Sequence, residues 1–268
     1  MKKLLSLILS LMLVLSLMPA FAVEADDGSL QYILDKGTLV LGLDDTFAPM
    51  GFRDENGDIV GFDIDVARLV AEKLGVELVL QPVDWDSKEM ELATKNIDCI
   101  WNGLSITPAR QAEMAMTSPY MNNAMALVSA SADYTTIESM KGATLGIQAA
   151  SYAEEMLYSE DYKDFLDSLG EVVAFAEYAT AFIDLANGNL NAILVDSVYA
   201  GYTTANLDGE YFIGEALEDD LYGVAFRKDD IALCEAVEAI LQELKDDGTL
   251  AELSISWLGE DLIFYPGE

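Results

Sequence analysis

The sequence predicts an α/β protein made of two Rossmann-like lobes joined by two hinge crossings. Three observations predict it. Short β-rich apolar runs alternate with amphipathic helical stretches, the pattern of mainly parallel sheets covered by helices. The alternation starts afresh beyond residue 124. An apolar run at Ala124–Ser129 and a second stretch at Glu218–Tyr222 read as the places where the chain leaves the first lobe and returns to it. The expected bounds are residues 28–123 with 219–268 for lobe one and 124–218 for lobe two.

Each element has a local reason. Thr38–Leu43 reads as a strand, and Asp54–Asp58, with Asn56-Gly57 at its centre, as a turn. The acids of that turn do not make a calcium loop, because glycine stands at the fourth place and not the sixth. Asp63–Leu74 carries Ile64, Val66, Ala67, Leu69, Val70 and Leu74 on one helical face, and Gly75 stops it. Val76–Gln81 is a strand, Asp86–Lys95 a short helix, and Ile97–Asn102 a strand. Thr107 caps the next helix and Pro108 opens it. In the second lobe, strand Thr144–Gln148 leads to a helix at Ser151, where Ser151 and Glu154 form a capping box. Helix Ala179–Asn187 and strand Asn191–Val195 follow. Strand Gly223–Arg227 and helices Ile231–Lys245 and Leu250–Trp257 close the chain.

The first residues read as a targeting signal. Lys2 and Lys3 precede an apolar run, Leu4–Met18, interrupted only by Ser6, Ser10 and Ser16. Pro19 then precedes Ala20-Phe21-Ala22, an A-x-A cleavage site. Cleavage is expected after Ala22, with Ala25 the second choice. Residues 1–22 are therefore a signal peptide, and the protein is expected outside the cytoplasm, in a periplasm or at a cell surface. No cysteine follows the signal to take a lipid anchor, and no later segment approaches the roughly 18 apolar residues of a membrane-spanning helix.

Cleavage takes away Lys2 and Lys3 and no acid, so the 14 basic residues become 12 against 48 acidic ones, a formal charge of −36. Nucleic acid and anionic membrane surfaces would repel such a chain. Cys99 and Cys234 are too few for a disulfide framework, and their pairing stays open. The chain has no histidine. That removes Ser-His-Asp triads, Cys-His pairs and histidine general bases, and it leaves the two cysteines without a histidine to complete a metal site. No cofactor is expected.

One pair of residues points to chemistry. A free amino acid carries a carboxylate and an ammonium on one carbon. Taking it out of water requires a planar fork of donors for the first and a carboxylate for the second. Arg110 follows Gly103-Leu104-Ser105-Ile106-Thr107-Pro108-Ala109 in a strand-to-helix turn, where free N–H groups favour anions. Asp196 ends the strand that runs from Asn191 through Val195, at the carboxyl edge where α/β sheets bind ligands.

Over nearly all of its mature length the chain resembles the polar amino-acid-binding proteins of ABC importers, the type II periplasmic-binding-protein fold. The matching stretches are Asp44 through Pro49, Gly61 through Ala67, Asn96-Ile97-Asp98, Gly103 through Arg110, Ser118-Pro119-Tyr120, Lys141-Gly142, Asp196, Tyr222-Gly223, Asp247-Gly248-Thr249 and Trp257-Leu258-Gly259. Their order and spacing together are specific. The resemblance implies that Arg110 clamps the ligand carboxylate with help from Ser105. Asp196 and the Gly103 carbonyl take the ammonium, and Phe47 and Trp85 sandwich the side chain. Asp44 would lie at the cleft floor, and Gln148 and Ser151 would reach in from the second lobe. It also implies a monomer that closes on its ligand and delivers it to a membrane permease. Ala150-Ser151 stands where the family often has Gly-Thr or Gly-Ser, and Met50 where an aromatic is common. Two rivals share the fold: an enzyme such as a dehydratase or a lytic-transglycosylase-like lyase, and a sensor serving a separate receptor. The ligand side chain is left open among polar amino acids, with Asp44 and Asp196 weighing against an acidic one.

Overall fold

The structure, a computed structural model, describes residues 27–267. The expected signal peptide lies outside the described residues.

The helices in chain order are α1 (Ser29–Lys36), α2 (Phe62–Leu74), α3 (Lys88–Ala93), α4 (Pro108–Glu113), α5 (Tyr152–Leu157), α6 (Lys163–Ser168), α7 (Tyr178–Ala186), α8 (Ser197–Asn206), α9 (Ile231–Asp246) and α10 (Thr249–Leu258). The strands are β1 (Thr38–Leu43), β2 (Thr46–Phe47), β3 (Gly51–Arg53), β4 (Ile59–Val60), β5 (Glu77–Pro82), β6 (Cys99–Ser105), β7 (Met114–Met116), β8 (Met121–Ser129), β9 (Thr144–Gln148), β10 (Glu171–Phe175), β11 (Ala192–Asp196), β12 (Phe212–Ile213) and β13 (Glu218–Arg227).

One ten-stranded sheet runs through the molecule, eight strands in the order β10-β9-β11-β8-β13-β6-β1-β5, with β12 paired to β8 and β7 to β13 beside this path. Its two wings are parallel: β10, β9 and β11 at one end, β6, β1 and β5 at the other. Between them the long strands β8 and β13 pair antiparallel, with Glu218 opposite Met125 and Tyr222 opposite Met121. Among the described residues these two strands are the only ladder that links the wings, so every hydrogen-bonded path across the sheet passes through them. Helices cover the sheet, and β6 is buried along its whole length, its polar residues Asn102 and Ser105 included.

Several boundaries differ from the sequence reading, for physical reasons. The strand expected at Ile97–Asn102 is β6, Cys99–Ser105. Gly103 and Ser105 therefore sit on the strand and not in the turn after it, because Tyr222 and Gly223 of β13 pair with Ser105 and Leu104 and extend the ladder. The helix expected from Asp86 begins as a tight 3-10 turn at Trp85–Ser87 and becomes α-helical only at Lys88. Strand β10 and helices α1 and α8 carried no clear signal. The Ser151 hydroxyl accepts from the Glu154 N–H at 3.4 Å, but the Glu154 carboxylate reaches back to the Ala150 N–H and not to that of Ser151. The box is shifted by one residue. Cys99 and Cys234 are both buried and free.

Parts of the stretches that match the family are tertiary staples. Asp98, 1 % exposed, accepts the Val40 N–H at 2.7 Å and joins the start of β6 to β1. Ser118 donates to Glu238 of α9 at 2.6 Å. Among the described residues no helix is long and apolar enough to cross a membrane.

Candidate functional site

The site forms where the carboxyl ends of the two parallel wings face each other across β8 and β13. Asp44, Phe47, Trp85, Gly103, Ser105, Arg110, Gln148, Ser151 and Asp196 line one cavity, together with Asn102 and Tyr152. All nine residues singled out from the sequence are brought together. Asn102 and Tyr152 are additions.

Arg110 is the third residue of α4, fixed by a hydrogen bond from its own N–H to the Thr107 cap at 3.2 Å. Its guanidinium is buried. Among the described residues it donates one hydrogen bond, from Nη1 to the Ser105 carbonyl at 2.8 Å, and no carboxylate lies within ion-pair distance. Guanidinium has five N–H donors, so most of this fork faces the cavity with donors to spare.

Asp196 ends β11 as expected, and its environment is more elaborate than the sequence suggested. Its Oδ1 accepts from the Tyr222 hydroxyl and from Asn123 Nδ2, both at 2.8 Å. Asn123 Nδ2 also donates to Asp220 Oδ2 at 2.8 Å, and Asp220 accepts from the Ser105 hydroxyl at 2.8 Å. A polar chain thus runs from Ser105, beside Arg110, through Asp220 and Asn123 to Asp196, and its middle members stand on the two linking strands. Burial pushes the Asp196 carboxyl up to about 7; the nearby Asp220 charge adds to this, while Tyr222 and Asn123 oppose it. Burial also raises Asp220, with Asn123, Ser105 and Arg110 pulling the other way.

Asp44 closes the opposite end. Its Oδ1 accepts from the Thr46 N–H and hydroxyl at 2.9 and 2.7 Å, and its Oδ2 from Gln148 Nε2 at 2.8 Å. Asn102 accepts the Asp44 N–H at 3.1 Å and so holds the loop. Phe47 packs against Tyr199 and Tyr178, with ring centroids 5.0 and 6.2 Å away. Beyond Asp44 and Trp85 the cavity opens into a wider cleft lined by Asp45, Asp84, Asp86, Glu91 and Glu177.

Gly103 and Asp63 explain each other. Gly103 sits at φ 58°, and a Cβ there would come within 2.7 Å of Phe47 Cε1. Its N–H donates to Asp63 Oδ2 at 2.7 Å, while the Tyr120 hydroxyl donates to Asp63 Oδ1 at 2.7 Å. Asp63 has no exposed surface, and burial raises its carboxyl to about 7. At the start of α2, Asp63 is a buried brace under the site. Asp63, Asn123, Asp220 and Tyr222 escaped the sequence reading as site supports. Asp63 and Tyr222 fall in stretches that match the family, but nothing local marked any of the four as a support for the cavity.

Two lobes meeting around a small cavity, with a guanidinium at one end and a carboxylate at the other, define a solute-binding protein. Residues 39–260 match the model of the bacterial extracellular solute-binding proteins, family 3, and the chain belongs to that family. It is 32% identical over 242 residues to the L-cystine-binding protein TcyJ of Escherichia coli, covering 89% of each chain. It is 33% identical over 228 residues to the lysine/arginine/ornithine-binding periplasmic protein of Escherichia coli, covering 81% of this chain and 86% of that one. Among solved structures, an ABC uptake transporter substrate-binding protein from Streptococcus pneumoniae with bound histidine superposes with a TM-score of 0.82 at 34% identity, over 90% of this chain and 99% of that one.

Proposed function

We propose that this protein captures a polar amino acid by closing residues 28–123 with 219–268 against residues 124–218, and hands it to the permease of an ABC importer. The carrying observation is the buried Arg110 guanidinium, unpaired with any carboxylate among the described residues, in one cavity with the buried carboxylate of Asp196. A zwitterion would satisfy both groups at once. Arg110 and Asp196 lie on different proposed lobes, so the ligand's two charges are both paired only when the lobes are together, and binding favours the closed form.

The side-chain end favours neutral or cationic ligands. The wider cleft beyond Asp44 carries six carboxylates, Asp44 included, and no Lys or Arg in its lining. The Glu177 carboxyl is raised by burial and by Asp44, Asp45 and Asp84, the sign of an uncompensated negative field. The protein acts without turnover, as an exported monomer whose leader is removed after Ala22.

Calorimetry with L-arginine, L-lysine, L-histidine, L-glutamine, L-cystine and L-glutamate tests the reading. One or more of the neutral or cationic ligands should bind tightly and L-glutamate weakly, and each should be recovered unaltered. Arg110→Ala leaves a ligand carboxylate without its partner and should cost about 3–5 kcal/mol, or more than a hundredfold in affinity. Unchanged tight binding by that variant refutes the clamp.

A further inference from the structure

We propose that Lys88 is a latch between the two lobes that lengthens the lifetime of the ligand-bound form. Lys88 opens α3 and has no exposed surface. Its Nζ lies at the seam and donates to the Trp85 carbonyl at 3.0 Å and to the Ala150 carbonyl at 2.9 Å, and it pairs with Glu89 Oε1 at 3.1 Å. Two of the ammonium's three N–H donors are thus taken by backbone carbonyls, and the Glu89 carboxylate balances its charge. Nζ also stands 4.8 Å from the centroid of the Trp85 ring, so one cation fixes an aromatic wall of the cavity and grips the facing lobe.

Two features separate this contact from ordinary packing. Ala150 holds φ at 52°, a left-handed backbone that a residue with a Cβ adopts at a cost. The strained turn places its carbonyl on the buried cation. Lys88 also stands outside the cavity lining, whereas Gln148, which bridges the seam to Asp44, lies within it. A ligand must compete with the Gln148 bridge. It leaves the Lys88 bridge intact. When the lobes part, the Ala150 carbonyl departs and Nζ regains water, so this hydrogen bond belongs to the closed form alone and shifts the equilibrium toward it. Burial pulls the Lys88 ammonium down to about 8, as expected of a cation shut into a seam.

The inference rests on the hinge-closure reading, and the test separates the two. Stopped-flow kinetics would use the tightest binder of the calorimetric panel, with wild type, Lys88→Met and Lys88→Gln. Lys88→Met should release ligand about ten times faster or more, since hydrogen bonds from charged donors are the strong ones. Its association rate should stay within about twofold, because affinity differences within one interface lie mostly in dissociation. Its ligand-free Tm should match that of wild type. Lys88→Gln, which keeps two N–H donors, should recover part of the lost residence time. An unchanged dissociation rate in Lys88→Met overturns the latch. So does an equal fall in Tm with and without ligand, which would make Lys88 a residue of the fold. Small-angle scattering decides the underlying reading: a wild type that does not compact on binding overturns hinge closure and the latch with it.

Discussion

Acid should weaken ligand binding through Asp196, and the size of the effect follows from its burial. The Asp196 carboxyl is pushed up to about 7 by burial, with the Asp220 charge adding to it. A ligand ammonium binds the ionised form. Below pH 7 the empty site holds a proton that binding must expel, so occupancy lowers the carboxyl pKa and protons are released. The affinity is complete above about pH 7 and is lost as pH falls through it. Each unit below the midpoint costs about a factor of ten, or ~1.4 kcal/mol, so Kd at pH 5 should be about 100-fold weaker than at pH 8. Calorimetry over this range in two buffers of different ionisation heat would read both Kd and the protons released. Asp196→Asn should bind weakly and without that slope. A flat wild-type profile refutes the reasoning. A slope that survives in Asp196→Asn moves the titration elsewhere, with Asp63, also raised to about 7, the next group to examine.

Two further outcomes follow from the brace beneath the cavity. Gly103→Ala places a methyl 2.7 Å from Phe47 Cε1 and 3.2 Å from Tyr222 Cζ at a left-handed φ, and should cost about 1–3 kcal/mol of stability together with affinity. Melting and calorimetry unchanged from wild type would contradict it. Asp63→Ala strands the Gly103 N–H and the Tyr120 hydroxyl in the interior and should cost about 3 kcal/mol in urea unfolding. A loss below about 1 kcal/mol would show that the two donors find other partners.

The site was legible to the extent that its residues sit at element ends. Arg110 after a Thr-Pro helix start and Asp196 at a strand's carboxyl end follow from local rules; the family resemblance supplied the other seven, of which Asp44, Phe47, Gly103 and Ser105 lie within its matching stretches. What escaped were residues whose neighbours lie far along the chain. Asp220 meets Ser105, 115 positions away, and Asp63 meets Gly103, 40 away. Lys88 sits in a short helix among Asp86, Glu89 and Glu91, where a lysine reads as one more solvated charge.

By itself the sequence determined the alternation of strands and helices and the places of Arg110 and Asp196 at element ends. Those are matters of side-chain period, capping and charge, and each is written within a few residues. The tertiary structure alone decided that Asp63 braces Gly103, that Asn123 stands between Asp196 and Asp220, and that Lys88 is buried against Ala150. A buried polar group is defined by what surrounds it, and the burial and partners of these groups exist only once the two wings of the sheet face each other.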